Sequence, residues 1–484
     1  MSEGSAVGRD GTPVAPVAPV APVAPVAPVA PVVPVTPVPP AAPTSQPVEP
    51  QVLKRTLRAS IKDGMAWSVM AGAGERYVSA FIILGQAGLT RIAGMHALPG
   101  LVGAVVQCFA ADIVDAAGRR RPFVAGSAAA QALTWVPFCA GMFLPPAIGY
   151  WLMLASFALY IGFAHFGAPA WNSMMGELVP ADRRGRYFGL RNGVIGAGLI
   201  ASSLAAGAWV TYGRDHPGLA HLGLSSLNFA FLTVFGVAML ARLVSAYYLH
   251  QMHEPPYHRH PSDHFTLLDF VRRAPRAHFG RFVFYCMGVN LGVGFIGPFF
   301  FWYMLAELHF SPLAFAAIGA INWLANYGSS IVWGHVADRV GSKRVLAIGG
   351  IGLTLVPLLL LVSDHFWWFA IAQAYDGIVT SAYSIASANY LFDVVTVPKR
   401  VRCSAYNALF GAAGTAAGTF GAALVATCTP LPLHVAGVTI GHPFVLLCLG
   451  STLLRLLPSL LLLGSFQEFR LQRPVFAPQD VTML

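Results

Sequence analysis

Beyond residue 50 the chain turns apolar and, apart from short polar interruptions, stays so to about residue 465. Twelve apolar stretches stand out, at 63–86, 91–113, 122–144, 147–172, 187–211, 227–249, 280–304, 311–335, 344–363, 366–391, 403–427 and 441–464. Each reaches the roughly 20 residues that a helix needs to cross the hydrocarbon core, about twice the length of a barrel strand. Lipid offers no partners to backbone N–H and C=O groups, so these stretches are predicted as helices, which satisfy those groups internally. The pattern predicts an all-α membrane protein with twelve transmembrane helices.

Residues 1–52 break the pattern. From Pro13 to Pro37 proline recurs every third residue, mostly as Pro-Val-Ala. Proline fixes φ and lacks an amide proton, so this segment reads as a disordered cytoplasmic tail of polyproline II character. No apolar run follows the N-terminus where a cleavable signal peptide would carry one.

Composition narrows the class. Charged residues make up 10% of the chain, against about 25% in soluble domains. Hydrophobic residues make up 56%, and the mean hydropathy is +0.62. A soluble enzyme, a disordered regulator and a disulfide scaffold are all excluded. The six cysteines lie singly in apolar stretches, as small buried side chains do. The net charge of +10 is explained by placement. With both termini in the cytoplasm, the inner loops hold Arg119, Arg120, Arg121, Arg183, Arg184, Arg186, Arg339, Lys343, Lys399 and Arg400 among others, whereas the outer side holds Arg91 and Arg214. That is the positive-inside asymmetry of a cell-membrane protein, and it requires no nucleic-acid partner.

The chain also repeats. Asp115-Ala-Ala-Gly118-Arg-Arg-Arg121 after helix 2 matches Asp338-Arg-Val-Gly341-Ser-Lys-Arg344 after helix 8, 223 positions later. Glu177, Arg184 and Arg186 match Asp393, Arg400 and Arg402 at an offset of 216, and Arg242 matches Arg455 at 213. Three landmarks in the same order predict two pseudo-symmetric six-helix bundles, 53–250 and 280–465. A cytoplasmic loop at 251–279 joins them, and 466–484 forms a cytoplasmic tail. Tandem halves around a shared cavity are transporter architecture.

The stretch Gly334-His-Val-Ala-Asp338-Arg339-Val-Gly341-Ser-Lys343-Arg344 resembles the signature loop of the major facilitator superfamily, found between helices 2 and 3 and again between 8 and 9. The first copy departs from it, with Ala111 for the leading glycine and Ala116 for the first arginine. The Glu177/Arg184 and Asp393/Arg400 pairs are similar to acid–arginine pairs of the sugar-porter branch. The resemblance implies that Asp115, Gly118, Arg119, Arg120, Asp338, Arg339, Gly341 and Lys343, with those pairs, form a cytoplasmic gate that latches the state closed to the cytoplasm. Physically, a tight turn needs glycine at Gly118 and Gly341, and the acids can pair with neighbouring arginines. Arg242 and Arg455 read as a symmetric structural pair within that gate, able to snorkel or to meet Glu177 and Asp393.

Ionisable groups within spans are the functional candidates, since burying an ion there costs a few kcal/mol. Glu75 and Arg76 lie midway along helix 1 and Asp376 in helix 10, without symmetric partners. A carboxylate so placed can carry a coupling proton, or sit in a permanent ion pair. His96 and His165 are intramembrane histidines. Asn290, Asn322 and Tyr375, with Trp171, Asn172, Tyr303 and Asn389, serve either as substrate contacts or as helix-interface glue.

His250, His253, His258, His260 and His264 crowd the central loop. They read as a solvated loop or, alternatively, a receiving site for a metal. The letters Gly292-x-Gly294-x-x-Gly297 match a dinucleotide fingerprint but lie inside an apolar helix, where they serve packing. The expectation is a secondary transporter, not an enzyme, with no cofactor and no resident metal. It would be a monomer in the bilayer that moves a small, amphipathic organic molecule by alternating access with protons. The rival readings are a metal or metal-chelate carrier and a non-transporting sensor or lipid-remodelling protein on the same fold.

Overall fold

The computed structural model describes residues 49–179, 183–216, 225–255, 266–395, 399–435 and 438–467; the side chains of Asp115 and Arg184 are not among what it describes. The expectations for the proline-rich tail, for His258, His260 and His264, and for most of the C-terminal tail lie outside these residues.

Among the described residues the helices join into twelve rods. Rod 1 is α1 (Pro50–Val69), a π-helical turn (Met70–Glu75) and α2 (Arg76–Leu84) in one path. Rod 2 is α3 (Leu89–Ala117), and rod 3 is α4 (Arg121–Leu133) with α5 (Trp135–Gly141). Rods 4, 5 and 6 are α6 (Pro146–Leu178), α7 (Arg184–Asp215) and α8 (Ser226–His250). After the short α9 (Leu267–Arg273), rod 7 is α10 (His278–Trp302) with a second π turn (Tyr303–Glu307). Rods 8 to 12 are α11 (Pro312–Val340), α12 (Ser342–Leu359), α13 (Phe366–Val394), α14 (Arg400–Cys428) and α15 (Pro443–Leu461).

Among the described residues nine helices are long and apolar enough to cross a membrane. Rods 1, 8 and 10 are not among them; they carry Glu75 and Arg76, Asn322 and Asn326, and Gln373 and Asp376. Helix 1 begins at Pro50, well before the predicted residue 63, because a proline at the first turn starts the helix and the basic segment after it continues helically. The chain is not purely helical. An antiparallel hairpin, β1 (Leu433–Val435) with β2 (Val438–Ile440), joins rods 11 and 12. In α9 a capping box links Thr266 and Asp269, and those hydrogen bonds hold the Asp269 carboxyl below its ordinary range.

Packing repeats as the sequence does. In the first half rod 1 packs on rods 5 and 6, rod 4 on rods 2 and 3, and rod 3 on rod 6. In the second half rod 7 packs on 11 and 12, rod 10 on 8 and 9, and rod 9 on 12. The second set is the first shifted by six. The halves meet along two seams, α3 with α14 and α7 with α11, which exchange under the same shift. Gly118 and Gly341 end α3 and α11 at φ values of 65° and 105°, which a side chain would strain.

The apolar interior is distributed unequally. Away from the basic loops, both halves contribute to one aromatic-rich core, with Trp135, Phe231 and Phe235 from the first half and Phe299, Phe300 and Phe369 from the second. Toward the basic loops there are two cores, one around Ala125, Met174 and Leu249 and the other around Phe282, Tyr285 and Tyr390.

Candidate functional site

Away from the basic loops, the contact between the halves centres on Arg76. Its guanidinium lies 4.7 Å from the centroid of Phe315, 4.8 Å from Trp323 and 5.5 Å from Phe301, all in the second half. Cation–π attraction at desolvated sites is worth up to ~2 kcal/mol. Gly319 makes the seat, since a Cβ there would collide with the Arg76 guanidinium. Beside it, Leu313 N donates to Thr211 Oγ1 at 3.0 Å and Arg214 Nη1 to the Phe310 carbonyl at 3.3 Å, tying α7 to α11.

Nearer the basic loops a cavity of about 630 Å³ opens. Its wall is made by six first-half helices, α1, α3, α4, α6, α7 and α8, together with α11 of the second half, which contributes Tyr327. Two arginines and one carboxylate dominate it. Arg191 Nη2 donates to Asp63 Oδ2 at 3.2 Å, and its Nε to the Ser60 carbonyl and hydroxyl at 3.2 Å each. Ser245 Oγ donates to Asp63 Oδ1 at 2.6 Å and accepts from Arg242 Nη1 at 2.7 Å, while Arg242 Nε donates to Gln131 Oε1 at 2.7 Å. The result is one continuous chain, Arg191–Asp63–Ser245–Arg242. The Arg191 guanidinium also stacks 4.4 Å from the Trp171 ring.

Of the predicted intramembrane candidates, His165 stands in this wall with Gln107 Oε1 2.8 Å from its Nδ1, and Trp171 and Asn172 stand there too. Glu75, Arg76 and Asp376 do not line it. Glu75 turns into the first half, where Tyr160 OH donates to Oε2 at 3.1 Å. His96 lies 2.9 Å from Ser79 Oγ, and its ring faces Phe301. In the second half Asn322 Nδ2 donates to Asp376 Oδ2 at 2.8 Å and Thr380 Oγ1 to Oδ1 at 3.4 Å. Tyr375 OH donates to the Gly352 carbonyl, and Asn290 Nδ2 to Cys286 of its own helix. The offset of 216 carries Asp376 onto Tyr160, so the second-half acid sits where the first half holds the partner of Glu75.

At the basic loops Arg120, fully buried, forks onto Glu177 at 2.6 and 2.9 Å, bonds Ser173 Oγ and the Pro255 carbonyl, and takes Glu254 on its backbone nitrogen. Its counterpart Lys343 donates to the Phe466 carbonyl at 2.5 Å, so each half ties down the chain leaving its sixth rod. Ser342 Oγ donates to Asp393 at 3.2 Å, and Arg400 donates to the Phe392 and Val395 carbonyls that end α13. Arg119, Arg339 and Asp338 are exposed. The expected meeting of Arg242 with Glu177 gives way to the Asp63 chain, because Arg120 already occupies Glu177. Arg455 lies buried with Nη1 on the Leu353 carbonyl at 2.7 Å. Between the halves, Arg402 Nη2 meets Asp112 Oδ1 at 2.8 Å.

Asp63 was not foreseen. It stood at the predicted edge of helix 1, and Arg191 and Arg242 inside neighbouring spans left open which acid would meet them. The glycine triplet of α10 packs rods: a Cβ on Gly292 would collide with Arg455 Cγ, and one on Gly294 with the Thr415 carbonyl. Among the described residues no cluster of His, Cys, Asp and Glu is suited to a metal ion.

The pattern of one large protein family covers residues 63–293 and 279–460, described as the Major Facilitator Superfamily. The chain belongs to this superfamily. It is a multi-pass membrane transporter and not an enzyme. A search among curated proteins finds no match. Solved superfamily structures share the fold at low identity. A point mutant of a nucleoside transporter, NupG, aligns at 11% identity and a TM-score of 0.62, covering 85% of this chain and all of its own. A point mutant of a peptide transporter, POT, in complex with alafosfalin aligns at 12% and 0.58, covering 85% and 97%. A bacterial homologue of the human lysosomal transporter Spinster, in an inward-facing and occupied conformation, aligns at 14% and 0.57, covering 88% and 99%.

Proposed function

We propose that this superfamily member is a secondary active carrier of the cell membrane that moves a small amphipathic organic molecule by alternating access, coupled to protons. Its two halves, 53–250 and 280–465, rock about the central region as one monomer with both termini in the cytoplasm. The observation that carries the reading is the divided interior: one core shared by both halves on the outer side, two separate cores on the basic side. That is the arrangement of a carrier resting open toward the basic loops, its outer side sealed by Arg76 among the rings. The wall of tryptophans and guanidiniums suits a molecule with an apolar body and a polar head.

Glu75 and Asp376 are the coupling candidates. Each is met by uncharged hydrogen-bond donors, Tyr160 for one and Asn322 and Thr380 for the other, and by no salt-bridge partner among the described residues, so a proton can come and go there without breaking an ion pair. Asp115, Asp338 and the acid–arginine pairs act as the cytoplasmic latch, forming more fully when that side closes. The test is flux in proteoliposomes under an imposed pH gradient. Glu75→Gln and Asp376→Asn should each abolish concentrative uptake while sparing exchange. If both variants still concentrate substrate, proton coupling at these residues is wrong; if the wild type shows no flux under any gradient, transport itself is.

A further inference from the structure

We infer that the cavity recognises the anionic head, a carboxylate above all, of a molecule whose apolar body lies against tryptophan. This rests on the reading of the chain as a carrier and names the class of its cargo. In the wall two guanidiniums face one carboxylate, and both Asp63 oxygens are already taken, by Arg191 and Ser245. Arg191 uses Nε and Nη2, and Arg242 uses Nε and Nη1, so each keeps one terminal nitrogen without an acceptor among the described residues.

Two guanidiniums, each with a spare nitrogen, against one carboxylate that is already taken give the charged groups of the wall a positive excess, which an anion matches best. A guanidinium binds a carboxylate through charge-assisted hydrogen bonds about twice as strong as neutral ones. Cargo without an acceptor makes no such bond, so the cavity discriminates in favour of the anion. Asp63 sets the geometry: it holds Arg191, and through Ser245 Arg242, so that both point into one space and neither collapses onto the other's side of the wall. The Trp171 face, already stacked on Arg191, and Trp67 supply the apolar floor.

The test uses the purified full-length chain and matched triads on one aromatic body: phenylacetate, phenylacetamide and phenethylamine, and the same three heads on naphthalene, at neutral pH. Thermal unfolding is followed against ligand concentration, since a ligand bound by the folded state raises its stability. The acids should raise Tm in a saturable way, the amides and amines should not, and inorganic phosphate, lacking a body, should do so less than the acids. Arg242→Gln and Arg191→Gln should weaken the acid response at least tenfold in apparent Kd, with Arg242→Lys restoring part of it. An amine or amide as effective as its acid, phosphate equal to the acids, no response to any acid, or full response in both glutamine variants would each overturn the inference. Concentrative flux of some other cargo without acid binding removes this inference alone; acid binding without flux removes the carrier reading alone.

Discussion

The two seams between the halves are the same seam twice, yet they differ at the basic end. Along α3 and α14, Asp112 bridges Arg402 and the Cys108 sulfur sits 3.9 Å from the Ala405 carbonyl. The repeat carries Asp112 onto His335 and Arg402 onto Arg186, so the matching site on α11 and α7 offers two bases where its twin has an ion pair. His335 instead turns its ring nitrogen to the Ile331 carbonyl of its own helix at 2.8 Å. Ile331, the counterpart of Cys108, is 70% exposed, and a Cβ on Gly189, the counterpart of Ala405, would meet nothing within 4 Å. Farther along the same two helices, Arg191 and Tyr327 stand in the cavity wall. On the carrier reading, a duplicated scaffold thus has one pinned edge and, where that pairing is missing, a mouth.

Three changes break or sharpen this comparison. The largest effect is expected at the outer end of the open seam, where a Cβ on Gly207 would lie 2.6 Å from Tyr77 OH and 3.0 Å from Ala316 Cβ. Gly207→Val should prise α7 from α11 there and lower transport by well over tenfold, and spin labels on the two outer helix ends should move apart; unchanged label distances refute the seam's role. Next, His335→Asp supplies the missing acid opposite Arg186. A half-exposed pair contributes up to ~1 kcal/mol, so it should slow turnover about fivefold by fastening the mouth, an effect that high salt relieves. Equal rates at low and high salt would mean the two residues do not meet. Smallest, Asp112→Asn should loosen the fixed edge by a few tenths of a kcal/mol to ~1 kcal/mol. It would be read as faster labelling of Cys108, and no change in labelling would show that the edge is held by packing alone.

How much of this was legible beforehand follows from the range of each interaction. The rods, the repeat and the turn glycines were readable because hydrophobic run length, sequence offset and backbone freedom are local quantities. The superfamily resemblance rested on Gly334 to Arg344 and on the Glu177/Arg184 and Asp393/Arg400 pairs, short motifs whose chemistry is local too. Asp63 was not readable as a site residue: its role comes from Arg191 and Ser245, far along the chain, which only packing brings together. The π turns escaped because a shift of hydrogen bonding from i−4 to i−5 leaves no compositional mark. The hairpin between rods 11 and 12 is two strands of three residues each, too short for a period to show. Glu75 and Arg76 were singled out as a pair, but their destinations, opposite halves of the molecule, depend on which neighbours each finds.

That divergence matters mechanically. One peptide bond joins the carboxylate that reaches back to Tyr160 and the guanidinium that reaches across to Phe315 and Trp323. The bond lies where the π turn gives way to α2, a place where the helix ladder has a register to yield. Any roll of that short span turns both side chains together, like the two arms of a crank on one axle. On the proposed cycle, proton exchange inside one bundle and closure against the other would need no relay of intermediate residues.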